Sequence, residues 1–377
     1  MPYLYKNSTN MKITFRSILL ISVLYFSCGD SADIPSTNDG FDRSILLSNI
    51  SNNIIIPSYN NFDIKINELK LAKDQFISNP NQTNINEMRN KWLNSYRSFQ
   101  YVEMFNIGKA EEINFHKRMN TYPTNTTIIN NNIDNLMYDF TADNYSNYSS
   151  QGFPALDYLL YGLDVDSNNV INYYLGSESS KYLNYLNAII TEMVVNTELV
   201  KNDWINNNLS FITSSGNTST SSLNKITNDF IYYYEKGLRA NKIGIPAGVY
   251  SNSTLPNNVE GLYRRDISKN LSLHALDACD RFYHGKSLLD DSLRTSLYSY
   301  LEYIDLDNGL KDDISLAFQN SKNKIEILNN NFSDQINTDN MKMLEAFDAL
   351  QSAVVLLKTD MLSNLNINVD YVDADGD

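Results

Sequence analysis

The sequence predicts an all-α protein built as two tandem helical bundles of the four-helix type. Three observations carry this. Proline (8) and glycine (14) are scarce in 377 residues, which favours long helices over a turn-rich sandwich. Apolar residues recur at spacings of three and four in both halves of the chain. Strand-like alternation is confined to the last few residues. The chain is long enough for about two domains at roughly 150 residues each, and 42% apolar residues can fill a sizeable core.

The chain opens with an export signal. Met11-Lys12 reads as a start, Lys12 and Arg16 supply positive charge, and Ile18 to Phe26 is apolar except for Ser22. That stretch fits a signal h-region and falls short of the ~20 residues a spanning helix needs. It ends at Ser27-Cys28-Gly29, a lipoprotein-type cleavage box in which Cys28 is the expected lipidation site. Residues 1–28 are therefore read as signal and lipobox, and 29–44, rich in Ser, Asp and Asn, as a tether. The expected location is the cell envelope, lipid-anchored at the outer membrane. Cys279 is then left without an intramolecular partner and reads as a small buried residue.

Residues 45–209 form the first expected bundle. Ile85, Met88, Trp92, Tyr96 and Phe99 line one helix face, and Leu183, Leu186, Ile190 and Met193 line another. Residues 106–150 read as irregular. The run Ser210 to Ser222 reads as a linker. Residues 223–377 form the second expected bundle. Its stripes are Ile267, Leu271, Ala275, Ala278 and Phe282, and then Leu344, Phe347, Leu350, Val354, Leu357 and Met361, the latter opened by a capping signal at Thr338-Asp339. Asn366 to Tyr371 alternates and could add a short extended strand, followed by the acidic tail Asp373-Ala374-Asp375-Gly376-Asp377.

A net charge of −14 opposes binding to a phosphate backbone, where Lys and Arg must dominate, so nucleic acid is not an expected partner. The same charge suits cationic ligands or metal ions. No His-Glu-x-x-His, Gly-x-Ser-x-Gly or phosphate-binding glycine loop occurs. His116, His274 and His284 are the only histidines.

Three places could carry chemistry. In Gly152-Phe153-Pro154-Ala155-Leu156-Asp157-Tyr158-Leu159-Leu160-Tyr161-Gly162, Asp157 sits among apolar residues and is either a buried hydrogen-bond acceptor or a ligand. Glu103 continues the stripe through Phe99 and is either a ligand carboxylate or half of a buried ion pair. Around 266–281, Asp266, Asn270, His274, Asp277 and Arg281 share a helix face. There His274 and Asp277, at i and i+3, could reach one ion.

With Trp92, Tyr96, Phe99, Glu103 and Gly108, the Gly152–Gly162 stretch resembles the imelysin-like family. Gly244-Ile245-Pro246-Ala247-Gly248 and the Leu350 to Asp360 segment add to the resemblance. It spans about residue 45 to the end. The family implies two helical bundles that arose by duplication, with a functional site between them and a link to iron acquisition. Pro154-Ala155-Leu156-Asp157 faintly echoes His274-Ala275-Leu276-Asp277. The family's Gly-x-His-x-x-Glu keeps its glycine here as Gly152, while Pro154 replaces the histidine and Asp157 the glutamate. The expected metal candidates are Asp157, Glu103, His274 and Asp277, with Gly152 and Arg281 as further ligand-binding candidates; iron or another divalent cation is the implied cofactor. The leading expectation is a non-catalytic envelope lipoprotein that binds iron or an iron carrier. The alternatives are an imelysin-type metallopeptidase and an accessory that docks on an outer-membrane transporter.

Overall fold

The computed structural model describes residues 39–304 and 309–370. Cys28, the signal segment, most of the tether and the acidic tail lie outside the described residues. Thr37–Asp377 groups as one compact unit.

The first half opens with α1 (Arg43–Asn49), started by the Asp42 carboxylate, which accepts from the backbone N–H groups of Ser44 and Ile45 as an N-cap does. The chain passes through a π-helical turn, Ile50–Ile55, into α2 (Ile56–Ser78). Asn81 caps α3 (Gln82–Phe99). The stretch read as irregular holds three short helices, α4 (Lys109–Glu112), α5 (Phe115–Asn120) and α6 (Thr126–Asn135), and a 3-10 turn, Tyr145–Ser150. Then come α7 (Gly152–Asp157), prolonged by a π turn Tyr158–Gly162, and the long α8 (Ser179–Thr213). Helices α2, α3, α7 and α8 pack around one another.

The second half repeats this plan. It contains α9 (Ser222–Tyr232), a π-helical run Tyr233–Gly244, α10 (Ile245–Ala247), α11 (Ser268–His284), α12 (Leu297–Ile304), α13 (Leu310–Glu326) and α14 (Phe332–Val355). A π turn Leu356–Met361 and α15 (Leu362–Leu365) complete it. The Tyr233–Gly244 run, α11, α13 and α14 close a second four-membered ring of contacts. The halves meet where α3 packs on α11 and α1 on α9.

The packing follows the apolar stripes. Ile85, Met88, Trp92, Tyr96 and Phe99 are completely buried, and so, within a few per cent, are Ile267, Leu271, Ala275, Ala278 and Phe282. Cys279 is a buried free thiol. Two expectations shift. The helix predicted to start at Thr338-Asp339 begins at Phe332, capped by Asn331, and Asp339 instead marks a kink with extended backbone (φ −157°, ψ 80°). The core line on α14 accordingly runs through Met343, Ala346, Leu350 and Ala353, with Leu344 and Phe347 half-buried at its edge. The segment from Asn366 forms no strand among the described residues. Among the described residues no strand lies beside it to pair with. The Asn228 side chain does that work, its Nδ2 donating to Asn368 O (2.9 Å) and its Oδ1 accepting from Asp370 N (3.3 Å). No described helix is long and apolar enough to cross a membrane.

Candidate functional site

Gly152 opens α7 at φ +75°, a conformation that disfavours any side chain. A Cβ there would stand 2.3 Å from Met119 O. The glycine lets the start of α7 touch the end of α5, so its role is close approach of two backbones.

Asp157 ends the same helix with 2% of its surface exposed. Both carboxylate oxygens are taken: Oδ2 accepts from Tyr263 N and Oδ1 from Arg264 N, each at 2.8 Å. Burial raises its pKa to about 7, against the pull of those two bonds and of the Arg264 charge. Asp157 thus fastens the second half's 259–266 loop to the first half's α7. The Pro154 side chain offers no ligating atom. This donor set does not fit a metal at the family's motif.

The α11 candidates sit elsewhere. Asp277 Oδ2 accepts from Tyr101 OH and from Arg281 Nε, both at 2.8 Å. Arg281 also donates to Ser287 O and to Asp291. His274 Nδ1 lies 2.7 Å from Asn270 O, and its ring meets the Tyr101 ring edge-on. These contacts pin α11 to the end of α3, where Arg97 Nε also donates to Asn270 Oδ1 (2.6 Å). Asp157, Glu103 and the His274–Asp277 pair are therefore distributed over separate places. Among the described residues no group of three or more His, Cys, Asp or Glu side chains could hold a metal ion.

Glu103 does point inward, into a buried polar cluster that joins the halves. Its Oε1 accepts from Asn120 Nδ2 (2.7 Å) and its Oε2 from Tyr233 OH (2.8 Å). Lys242 Nζ stands 3.7 Å from Glu103 and 2.6 Å from Glu260. Asn120 Nδ2 also reaches Glu260 (2.8 Å), and Tyr96 OH donates to Asn120 Oδ1 (2.6 Å). Lys242 and Glu260 are only 1% and 2% exposed, so two carboxylates share one ammonium away from water. Burial pushes the Glu103 pKa up, offset by Lys242 and reinforced by the Glu260 charge.

Glu103 also faces a cleft of about 310 Å³ lined from both halves. Residues 103–123 contribute Glu103, His116, Lys117 and Tyr122, and residues 229–258 contribute Asp229, Tyr233 and Lys236. Asp229 Oδ2 accepts from Asn106 N (2.9 Å). Burial lifts its pKa to about 7, with the charges of Asp370 and Glu111 adding to the effect. Burial lowers His116 to about 4, so its imidazole is neutral at pH 7. Its Nδ1 lies 3.1 Å from Asn106 Oδ1.

The sequence reading found Glu103 and missed its partners. Asn120 lies on a separate short helix of the same half, Lys242 and Glu260 reach the cluster only when the halves dock, and Asp229 lines the same cleft from the second half. The signal that existed was Lys242, the last of the cations Lys236, Arg239 and Lys242 before the apolar Gly244–Gly248 segment.

The sequence profile of the Imelysin family matches residues 55–358. The chain belongs to the imelysin family. Among the solved structures that share its fold are two of low sequence identity. One is an imelysin-like protein from Psychrobacter arcticum 273-4, 16% identical, with TM-score 0.67 over 88% of this chain and 97% of that one. The other is an iron-regulated protein A precursor, so named, from Parabacteroides distasonis ATCC 8503, 15% identical, with TM-score 0.68 over 86% and 95%. No curated protein matches the sequence.

Proposed function

We propose that this imelysin-family protein is a non-catalytic binding protein of the bacterial cell envelope, anchored through a lipid on Cys28, that takes up an iron carrier in the cleft between its halves. One observation carries the non-catalytic reading. At the family's motif the Pro154 side chain has no donor atom, and Asp157 spends both oxygens on backbone N–H groups. A hydrolytic metal centre needs several protein ligands and an open position for water, and this arrangement supplies neither. The link to iron rests on the family and on the name of the Parabacteroides structure. The word precursor in that name fits the signal segment read at residues 1–28. A carrier is favoured over a bare ion because the cleft offers a mixed polar lining rather than a ligand cage.

The test is calorimetric titration of the protein from residue 29 onward with ferrous ion, ferric citrate and ferrioxamine B, beside a casein-hydrolysis assay with added zinc. Saturable binding of an iron carrier, weakened by Glu103→Gln and untouched by His274→Ala, with no hydrolysis, is the expected result. Chelator-sensitive proteolysis would restore the metallopeptidase reading. Absence of binding by all three probes, with co-purification of a membrane transporter, would favour the docking role.

A further inference from the structure

We infer that the groove beside the cleft, lined by Arg264 and Arg265, is a second binding site that seats the oxyanion of a hydroxylated ligand, a sugar acid or a sugar phosphate. It goes beyond the carrier reading and uses none of the acids that face the cleft.

The chain carries a net charge of −14, yet arginines gather where α3 meets the 259–266 loop. Arg89 and Arg264 both stand over the Tyr161 ring, 4.7 and 5.3 Å from its centroid. Burial lowers the pKa of Arg89 and of Arg97, and the Arg264 charge lowers both further. Arg265 follows in the chain. Of these four, only Arg264 touches a carboxylate among the described residues, Asp266 at 2.8 Å. Arg89 donates to Leu160 O, Ser167 O and Asn86 Oδ1, and Arg97 to Asn270 Oδ1, all of them neutral acceptors. Like charges gathered in this way repel one another, and a bound anion would balance them.

Arg265 supplies the seat. It is exposed, and among the described residues its side chain has neither a hydrogen bond nor an ion pair. Its backbone lies at φ +71°, a conformation disfavoured for any residue with a Cβ. Two anchors keep it there. Arg265 N donates to Gly261 O (2.9 Å), and Asp157 clamps the N–H groups of Tyr263 and Arg264. Strain imposed by the surrounding structure clusters at ligand sites. Arg264, Arg265, Tyr161 and Tyr263 line one groove of about 1110 Å³. Neither phenol hydroxyl has a described partner. Burial raises both phenols to about 12, so each keeps its proton and can donate. A guanidinium fork flanked by hydroxyl donors suits carboxylate or phosphate oxygens.

The opposite wall selects the body of the ligand. Asp164 and Asp166 each spend Oδ1 on a backbone N–H of their own turn, and their Oδ2 atoms accept from no described group. They would repel a polyanion and accept from hydroxyl groups instead. The groove borders the cleft, sharing Pro123 and Asn258 with it. Its volume stands at the large end of ligand pockets and leaves room for a polyol behind a single oxyanion.

The experiment is calorimetric titration of the protein from residue 29 onward with D-glucuronate, α-D-glucosyl phosphate and D-glucose. At least one of the two anions should bind saturably, and the tighter one names the oxyanion as carboxylate or phosphate. Glucose, which keeps the hydroxyls and lacks the charge, should bind at least about tenfold more weakly, the size of one charge-assisted hydrogen bond. Arg265→Gly should weaken the anion by a similar factor. Glycine tolerates the left-handed backbone, so this variant removes the guanidinium and keeps the loop; far-UV circular dichroism checks its fold. Arg294→Ala, whose guanidinium pairs with Asp290 away from the groove, should change nothing. No binding by either anion, glucose binding as tightly, or Arg265→Gly binding as the native protein does overturns the inference. Glu103→Gln, in the neighbouring cleft, should leave the anion titration unchanged; a loss equal to that of Arg265→Gly would put the ligand in the cleft and overturn the groove as its seat. The carrier reading fails or stands separately, because its probes and its residues are different ones.

Discussion

Asp157 and Asp277 close two echoing tetrapeptides, Pro154-Ala155-Leu156-Asp157 and His274-Ala275-Leu276-Asp277, yet they do different things. Asp157 is sealed in, 2% exposed, and clamps two backbone N–H groups from the other half. Asp277 is 42% exposed at its side chain and works with Arg281 and Tyr101 on the outer face of α11. The difference arises from what lies opposite each helix. Every residue of α7 is buried, so a carboxylate there must find partners inside. Helix α11 is buried on one face only, so its acids reach water and salt-bridge partners on the other. Neither acid opens onto the cleft. That role belongs to Glu103 and Asp229, which no motif links.

The sharpest break in this contrast is expected at Lys242. Lys242→Ala leaves Glu103 and Glu260 facing each other without a counter-charge, and removing one partner of a buried ion pair costs about 3–5 kcal/mol. A urea titration should show a large fall in midpoint; a shift no bigger than that of a surface lysine would mean the cluster is hydrated. Asp157→Asn comes next. It turns one of two acceptors into a donor facing a backbone N–H, at a cost of about 1–3 kcal/mol, read as a lower melting temperature. Asp277→Asn should move the same reading by less than about 1 kcal/mol, as half-exposed ion pairs do.

A pH series sharpens the comparison further. The Asp157 pKa in the folded protein, about 7, lies above its ordinary value of 3.8. The folded state therefore binds more protons than the unfolded one between those values, and stability falls as pH rises across that window. Asp157→Asn removes this component, so the stability gap between native protein and variant should shrink from pH 4 to pH 7. A gap that widens over that range would show that the Asp157 charge stabilises the fold.

Much of the fold was legible in the sequence because each stripe is a local property. The line Ile85–Met88–Trp92–Tyr96–Phe99 needs only the helical repeat to be seen, and it is buried as read. The missing strand after Asn366 escaped because it depends on a distant partner, Asn228, which holds the tail; the kink at Asp339, where Gln335 Nε2 donates to its carbonyl, leaves no trace in the apolar periodicity. The site was legible only in part for the same reason. Glu103 betrayed itself by continuing an apolar stripe. Lys242 and Glu260 join its cluster across 139 and 157 positions of sequence, and Asp229 shares its cleft across 126, a juxtaposition that periodicity does not encode.

The central claim is that the ligand sits between the halves, against Glu103 and Asp229, and away from the polar face of α11. Hydrogen–deuterium exchange, with and without the iron carrier that titrates, tests it most directly. Protection of peptides covering 103–123 and 229–245, with those covering 270–281 unchanged, is the predicted result. Protection confined to 270–281 would contradict it.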